Sequence, residues 1–490
     1  MTLKLSNATL PDLPDTVGRP GYDRRSLSAG IVHFGVGNFH RAHQATYLDS
    51  LMNKGEALDW ALVGAGVFDG EKKGRAILQA QDWLTTLVEQ EAGHSDARVL
   101  GSMIDFIEPG NAAAIVDRLA QADIRIVSMT ITEGGYFLDS KDNFDPKHPA
   151  IQHDAQNPDN PKTVFGMILC ALKSRRDKGL APFTIMCCDN IPHNGDVTRR
   201  TLTGLARLTD PALADWIEVN VAFPNAMVDR ITPATTDRER GILRDAFGID
   251  DGWPVFCEDF TQWVLEDNFP LGRPPLEKVG VQFTSDVIPF ELMKLRILNA
   301  GHAIIAYPAG LMDIHFVHEA MEHPLIRAFL RKIEEEEIIP LIPPVPDTDT
   351  SAYFDKIEER FSNPKIGDTI RRLCLDGTNR QPKFVIPAVR DALAAHARFD
   401  GLALECALWC RYCAGTTESG ANIEANDPNW DVLVPLALEA KDRPQAWLEQ
   451  DAVYGDLAQD EAFAQRFAHW LDALWKDGTK AVLTRYLESS

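Results

Sequence analysis

Short apolar runs closed by glycines alternate with helical periodicity through the first half of the chain. Residues 30–34 (Gly-Ile-Val-His-Phe) form one such run, and a helical spacing through Ala45, Leu48 and Leu51 follows it. Further strand-like runs are predicted at 60–63, ending at Gly64-Ala-Gly66, and at 83–88, 124–129 and 183–187, with helical segments near 112–119 and 163–174 between several of them. Strand, glycine turn, helix and strand in repetition predict a doubly wound parallel sheet. From about Pro289 the patterns become long and helical: 290–307, 318–336, 365–373, 388–395, 403–413, 432–438 and 463–474. Pro340, Pro343, Pro344 and Pro346 mark a loop among them, and the acidic run 334–337 reads as the solvated end of a helix. No internal repeat is visible. The expected organisation is an α/β domain over residues 1–285 followed by an all-α domain over 286–490.

Composition narrows the function. The 490 residues carry 49 Lys+Arg against 72 Asp+Glu, a net charge of −23, with 45% hydrophobic residues. So acidic a chain argues against nucleic acid and against an anionic membrane surface, both of which ask for basic patches. The first residues, Met-Thr-Leu-Lys-Leu-Ser-Asn, lack a basic-then-apolar signal pattern, and no apolar stretch of about 18 residues occurs. A cytoplasmic protein is expected. Among the 8 cysteines, Cys406, Cys410 and Cys413 look at first like a ligand cluster. Their i, i+4, i+7 spacing is the buried face of a helix, and no histidine stands near to complete a zinc site, so core packing is the reading taken and no metal is expected.

The candidate chemistry starts at Gly35-Val36-Gly37-Asn38-Phe39-His40-Arg41, between the first strand and the first helix. In that context glycines let a backbone approach a pyrophosphate, and the fold expected is a Rossmann-type doubly wound domain. The third glycine position of the dinucleotide fingerprint is His40, so close helix–strand packing must come about another way; an ordinary βα turn is the alternative. Asp69 and Glu71, past the second strand, are candidates for the acid that binds ribose hydroxyls, although they stand further on than the roughly 20 residues of the common motif. A carboxylate there favours NAD over NADP, and Lys72 and Lys73 weaken that preference.

At Phe223-Pro-Asn225-Ala-Met-Val-Asp229-Arg230-Ile-Thr-Pro233 the chain resembles the mannitol dehydrogenase family, the polyol-specific long-chain dehydrogenases. Residues 35–43, Thr130-Ile-Thr-Glu133-Gly-Gly-Tyr136, Cys188-Asp-Asn190-Ile-Pro-His193-Asn-Gly195, Gln262-Trp-Val-Leu-Glu-Asp267 and Met293-Lys294 through Asn299-Ala-Gly-His302 match in order, so the resemblance covers nearly the whole chain. It implies metal-independent, NAD-linked interconversion of D-mannitol and D-fructose. It also implies roles: Lys294 as general base, Asn190 and Asn299 as the amides that stabilise alkoxide, His302 as a substrate contact and Glu133 as the acid that passes the proton to solvent. Asp229, Arg372 and Arg380 are implied as substrate contacts, with Lys383 as runner-up for Arg380. The residues support a base at Lys294, because apolar neighbours lower a lysine pKa, and moving it from about 10.4 to roughly 7–8 takes on the order of 4 kcal/mol. Without the resemblance a snorkelling surface lysine would be the simpler reading. On an ideal helix Lys294, His302 and Asn299 fall at about 0°, 80° and 140°.

Three alternatives stay open. A hexuronate reductase of the same family, acting on fructuronate, would use Arg372 and Arg380 to pair a carboxylate. A sugar phosphate would suit the same arginines, but no dense basic cluster is present. A non-catalytic NAD-binding protein would be expected to lose Lys294, Asn190, Asn299 or His302, and all are retained. The helical half shows no heptad seam, and together with the resemblance this points to a monomer with a small polyol or ketose as partner.

Overall fold

The computed structural model describes residues 2–139 and 143–489. The chain divides into two units, Met1–Ile288 and Pro289–Ser490.

The first unit is built on a five-stranded sheet of β1 (Ala29–Phe34), β2 (Ala61–Ala65), β3 (Met103–Phe106), β4 (Ile126–Met129) and β5 (Thr184–Cys187). Their order is β3-β2-β1-β4-β5 and every pair is parallel, which is the Rossmann-type arrangement. Alternate residues leave the sheet on opposite faces. Val32, Phe34, Val63, Val127 and Ile185 join one core with the helices Ala112–Leu119 and Val164–Asp177, while Ile31, Leu62, Ile126 and Met186 join another with Gln44–Asn53. Both faces are therefore covered, which is why these strands read as unbroken apolar runs. The order places the crossovers to β2 and β4 on opposite sides of β1, so their carboxyl ends diverge beyond it, the usual place for a ligand.

The run expected at 83–88 does form a strand, Thr85–Gln90, but not in this sheet. It pairs antiparallel with Ser95–Leu100 inside a separate four-stranded sheet with Val255–Glu258 and Val17–Gly18. The strand that completes the main sheet is β3, whose Met-Ile-Asp-Phe sequence carries too weak an apolar signal to be noticed. A third sheet joins Ala226–Asp229, Gln262–Glu266 and Gln282–Thr284.

The second unit is helical. The long pattern expected over 290–307 resolves into Ile288–Met293, a π-helical turn at Lys294–Asn299 and the helix Ala300–Leu311. The pattern over 318–336 breaks at Pro324 into Val317–Glu322 and Pro324–Ile333, followed by a second π turn at Glu334–Ile338. The expected helix over 365–373 is only the short turns Pro364–Ile366 and Ile370–Leu373, because Gly367 between them adopts φ +63°. Helix Asp400–Cys413 runs through the centre, buried from Gly401 onward, and Cys406, Cys410 and Cys413 pack there. Thr350–Phe361 and Thr479–Glu488 are helices that the apolar spacing did not bring out. No helix among the described residues is long and apolar enough to cross a membrane.

The acidic run 334–337 is not a solvated helix end. Glu335 and Glu336 face solvent, but Glu334 and Glu337 are fully buried. The Glu337 carboxylate accepts from the amides of Gly401 (2.8 Å) and Leu402 (3.0 Å) and from the Tyr486 hydroxyl (3.0 Å), so it satisfies the first free N–H groups of the central helix. On that helix Glu405 is also fully buried; Gln381 donates to it at 2.6 Å, and burial lifts its pKa to about 8.

Replacing one acceptor oxygen in Glu337→Gln should destabilise the intact chain by about 1–3 kcal/mol in urea unfolding, and wild-type stability would show that the carboxylate is not the cap. Glu405 keeps its proton longer folded than unfolded, so the stability linked to it is present at low pH and is lost as pH rises from about 4.5 toward about 8. Glu405→Gln should therefore fall less in Tm than the wild type across that window; parallel Tm curves would contradict the raised pKa.

Candidate functional site

The nucleotide-type turn follows β1. Gly35 has φ +88°, and a Cβ there would stand 2.0 Å from the Thr130 carbonyl oxygen, so only glycine fits. The Gly35 carbonyl accepts from Gly37 N (2.7 Å) and Thr130 Oγ1 (2.9 Å). At Gly37 an added Cβ would meet little, only the Gly35 carbonyl at 3.8 Å, which leaves that backbone approachable. A closely held first glycine and an open second one are what a dinucleotide pyrophosphate asks of such a turn. Val36 is buried and packs with the side of the core that holds Gln44–Asn53. Phe39 is half-buried and stacks on His43 at 4.8 Å.

Asn38 and Arg41 face inward. Asn38 donates to the Pro233 carbonyl (3.0 Å) and Thr235 Oγ1 (3.2 Å). Arg41 is fully buried, donates to Gly37 O, Asn38 Oδ1 and the Trp253 carbonyl, and lies over the Trp253 ring. Its guanidinium braces the turn from behind. The two acids past β2 also separate. Glu71 accepts from the amides of Val67 and Phe68, both at 2.9 Å, and closes its own loop. Asp69 stands out in solvent with Lys72 at 2.8 Å.

Beyond β4 and β5 two loops are locked together by Asp189, which the sequence did not single out. Its carboxylate accepts from Ile131 N (2.8 Å), Thr132 N (3.0 Å) and the Tyr136 hydroxyl (2.6 Å). These bonds hold Thr132 at φ +64°, a left-handed conformation costly for a β-branched residue, and so present Glu133 at the surface. Asn190, next to Asp189, is likewise exposed past the end of β5. The recurring asparagines nearby are structural. Asn194 bonds the carbonyls of Asp189 and Ala226, and Asn225 accepts from Gly195 N (2.8 Å) and Asp196 N (3.2 Å) at the start of helix Asn194–Thr209. Asp229 ends its strand almost fully buried. Arg230 bonds the carbonyls of Ala42 and Glu258 and the Glu89 carboxylate at 2.5 Å.

In the helical unit Lys294, Asn299 and His302 lie on one continuous helical stretch and are 6%, 8% and 8% exposed. Lys294 is thus withdrawn from water rather than snorkelling, among the buried Phe290, Met293, Ile297 and Leu298. The π turn that runs from Lys294 to Asn299 adds a residue to the winding, so the angles expected of an ideal helix do not apply. Such turns gather at functional sites. The His302 ring stacks on Phe361 (centroids 4.3 Å apart, 18° between planes), and its Nε2 is buried with no hydrogen-bond partner among the described residues. Burial, helped by the charges of Arg372, Arg380 and Arg360, holds this imidazole neutral. An unpartnered nitrogen there fits a ligand hydroxyl.

Arg372 and Arg380 sit near His302 but are engaged: Arg372 pairs with Asp368, and Arg380 donates to the Leu373 carbonyl at 2.7 Å. Lys383 is exposed on the helix Gly377–Phe384. Phe361 carries no sequence signal, since its partner lies far away along the chain. Among the described residues no three His, Cys, Asp or Glu side chains are arranged to hold a metal ion.

Comparison with known proteins gives one answer. Residues 29–278 match the mannitol dehydrogenase Rossmann domain and residues 286–475 the mannitol dehydrogenase C-terminal domain. The chain is 57% identical over 474 residues to a mannitol 2-dehydrogenase of Cereibacter sphaeroides, covering 96% of this chain and 99% of that one. Among solved structures, Pseudomonas fluorescens mannitol 2-dehydrogenase in a ternary complex with NAD and D-mannitol is 42% identical, with a TM-score of 0.90 and full coverage of both chains. A D-sorbitol dehydrogenase in substrate-free form is 37% identical with the same TM-score, over 98% of this chain and 100% of that one. The chain belongs to the mannitol dehydrogenase family.

Proposed function

We propose that the protein is an NAD-dependent polyol dehydrogenase that interconverts D-mannitol and D-fructose at C2, without a metal and with a lysine as general base. The observation that carries the chemistry is the stretch with Lys294, Asn299 and His302, all nearly buried and with the His302 Nε2 unpartnered among the described residues. Oxidising a secondary alcohol asks for a base within reach of the hydroxyl proton and for donors that stabilise the developing alkoxide. Lys294, 6% exposed, takes the proton. Asn190 and Asn299 donate from their side-chain amides to the alkoxide oxygen. His302, held neutral, bonds a substrate hydroxyl through Nε2 and is fixed in plane by Phe361. Glu133, exposed on its loop, exchanges the proton with water. Asp229, Arg372 and Arg380 serve the remaining hydroxyls.

Residues 35–41 and Asp69 hold NAD, which when bound supplies the hydride acceptor. Gly35, Val36, Gly37 and Phe39 shape the turn, Asn38, His40 and Arg41 brace it, and Glu71 shapes the loop from which Asp69 reaches the ribose. A small polyol or ketose is the partner, and on composition and resemblance the chain works as a cytoplasmic monomer.

The uronate alternative is disfavoured by the engagement of Arg372 with Asp368 and of Arg380 with backbone carbonyls, since a carboxylate clamp needs guanidinium donors to spare. D-sorbitol is the polyol to set beside mannitol, given the similarity to a D-sorbitol dehydrogenase. The deciding experiment is a panel of mannitol and sorbitol with NAD or NADP, and of fructose, fructuronate and tagaturonate with NADH. Mannitol and fructose are expected to give the highest kcat/KM. Turnover of a uronate but not of fructose would overturn the substrate, and binding of NAD without any turnover would overturn the enzyme.

Lys294→Ala should lose about 10²–10⁴ in kcat with NAD affinity retained, and unimpaired turnover at any pH would remove Lys294 as base. Asn190→Ala and Asn299→Ala should each lose about 10²–10³ in kcat. Asp69→Ala should raise the NADP-to-NAD ratio of kcat/KM by about tenfold or more, as removal of a repelling carboxylate requires; an unchanged ratio would place the ribose acid elsewhere.

A further inference from the structure

The residue standing at the third glycine position, His40, is neither a gap nor an accident of packing. Its ring lies flat on that of His33, the fifth residue of β1, with centroids 3.5 Å apart and 13° between the planes. Both are essentially inaccessible, at 0% and 1% exposure. In the common fingerprint the third glycine lets the helix approach the strand. Here an imidazole stands at that position instead, stacked on a ring of the strand.

The two rings differ in their bonding. His33 Nδ1 lies 2.8 Å from Ser128 Oγ, and Nε2 lies 3.1 Å from Thr130 Oγ1 and 3.3 Å from the Gly35 carbonyl. Ser128 Oγ also lies 3.0 Å from Gln44 Oε1, and Gln44 lies beside both rings. As the Nε2–H tautomer, with Nδ1 accepting from the Ser128 hydroxyl, neutral His33 donates to the Gly35 carbonyl, the atom that also receives the Gly37 amide. Among the described residues only the Gln44 side chain stands beside the His40 nitrogens, neither of which completes a well-formed hydrogen bond, so what His40 contributes is chiefly its flat face. Burial keeps both rings neutral, pushing His33 down to about 3 and His40 well below the usual imidazole range, so the stack carries no repelling charges.

We propose that the His33–His40 stack is a cofactor-positioning device: it replaces the third glycine, sets the helix-to-strand spacing and, through His33 and Thr130, fixes the Gly35 carbonyl so that the backbone of residues 35–37 keeps the shape a pyrophosphate requires. His33 and His40 are positioning residues, since they act through the turn. The inference rests on the NAD reading above and deepens it.

The test is NADH binding, followed by fluorescence, together with steady-state kinetics on the intact chain. His40→Ala should weaken NADH about tenfold or more, as a displaced backbone contact does, with a smaller fall in kcat and no change in the KM for mannitol. His40→Phe, which keeps a flat ring and discards both nitrogens, should return most of the lost affinity. Ser128→Ala removes one hydroxyl beneath His33 and should show the same split in milder form, which keeps the test open if His40→Ala does not fold. NADH affinity unchanged in His40→Ala and Ser128→Ala would overturn the proposal. So would a parallel loss of NADH affinity, kcat and mannitol KM that tracks a fall in Tm, the mark of a general packing defect. Failure of the wild type to bind NADH at all would instead sink the cofactor reading beneath it.

Discussion

The backbone of Gly35 runs so close to Thr130 that a Cβ there would stand 2.0 Å from the Thr130 carbonyl oxygen. That contact joins the carboxyl ends of β1 and β4, where the strand order of the sheet reverses. Much of the first unit around it follows from keeping those ends in register. Ser128, Thr130, His33 and Gln44 form the polar layer under the turn, and Arg41 and Asn38 fasten the following helix to residues 233–253. Asp189 then carries the order outward, to the loop that bears Glu133 and to its own neighbour Asn190. Three exposed groups proposed above to serve function, Glu133, Asn190 and Asp69, thus stand on loops whose shape is set by buried polar groups or, at Asp69, by Glu71. This is the division of labour expected when loops carry chemistry on a rigid scaffold.

The helical unit solves the opposite problem, bringing polar side chains into an apolar interior. Lys294, Asn299 and His302 are buried along a stretch that a continuous α-helix would wind differently, and the π turn between Met293 and Ala300 changes that winding locally. The second π turn puts Glu334 and Glu337 inside while Glu335 and Glu336 stay in water. Glu337 offsets its burial by satisfying the start of the central helix, whereas Glu334 meets no hydrogen-bond partner among the described residues, and burial raises its pKa well above the usual carboxyl range.

The negative charge also divides in a way that composition does not show. Most acids lie at the surface, yet Glu337, Glu405, Asp49, Asp189 and Asp251 are buried and accept hydrogen bonds that organise turns, loops and helix starts. The acids expected to serve function, Glu133 and Asp229 by resemblance and Asp69 and Glu71 as ribose candidates, do not share one environment either: two stand in solvent, one is nearly buried, and Glu71 closes its own loop.

The doubly wound sheet was legible because buried parallel strands need apolar side chains on both faces, and glycine turns after β1 and β2 cannot be disguised. The helical second half was legible for the same reason, through the 3.6-residue spacing of its buried faces. Boundaries that depend on a single break, at Pro324 or at the left-handed Gly367, were blurred, and the π turns left no trace because the same apolar spacing serves either winding. Family membership was carried by long ordered motifs, though their residues sit in unlike settings: Asn225 and Gly195 build the scaffold, while Lys294 and His302 are buried polar groups on one helical stretch. Only the tertiary structure separated those jobs. It set the environment of Lys294, turned Arg41 and Glu71 to bracing, moved the strand at 85–90 into another sheet, buried Glu334 and Glu337, and brought His33 onto His40 and Phe361 onto His302. The reason is physical: periodicity is a local property of the chain, whereas burial, hydrogen-bond satisfaction and ring stacking depend on partners that meet only after the elements pack.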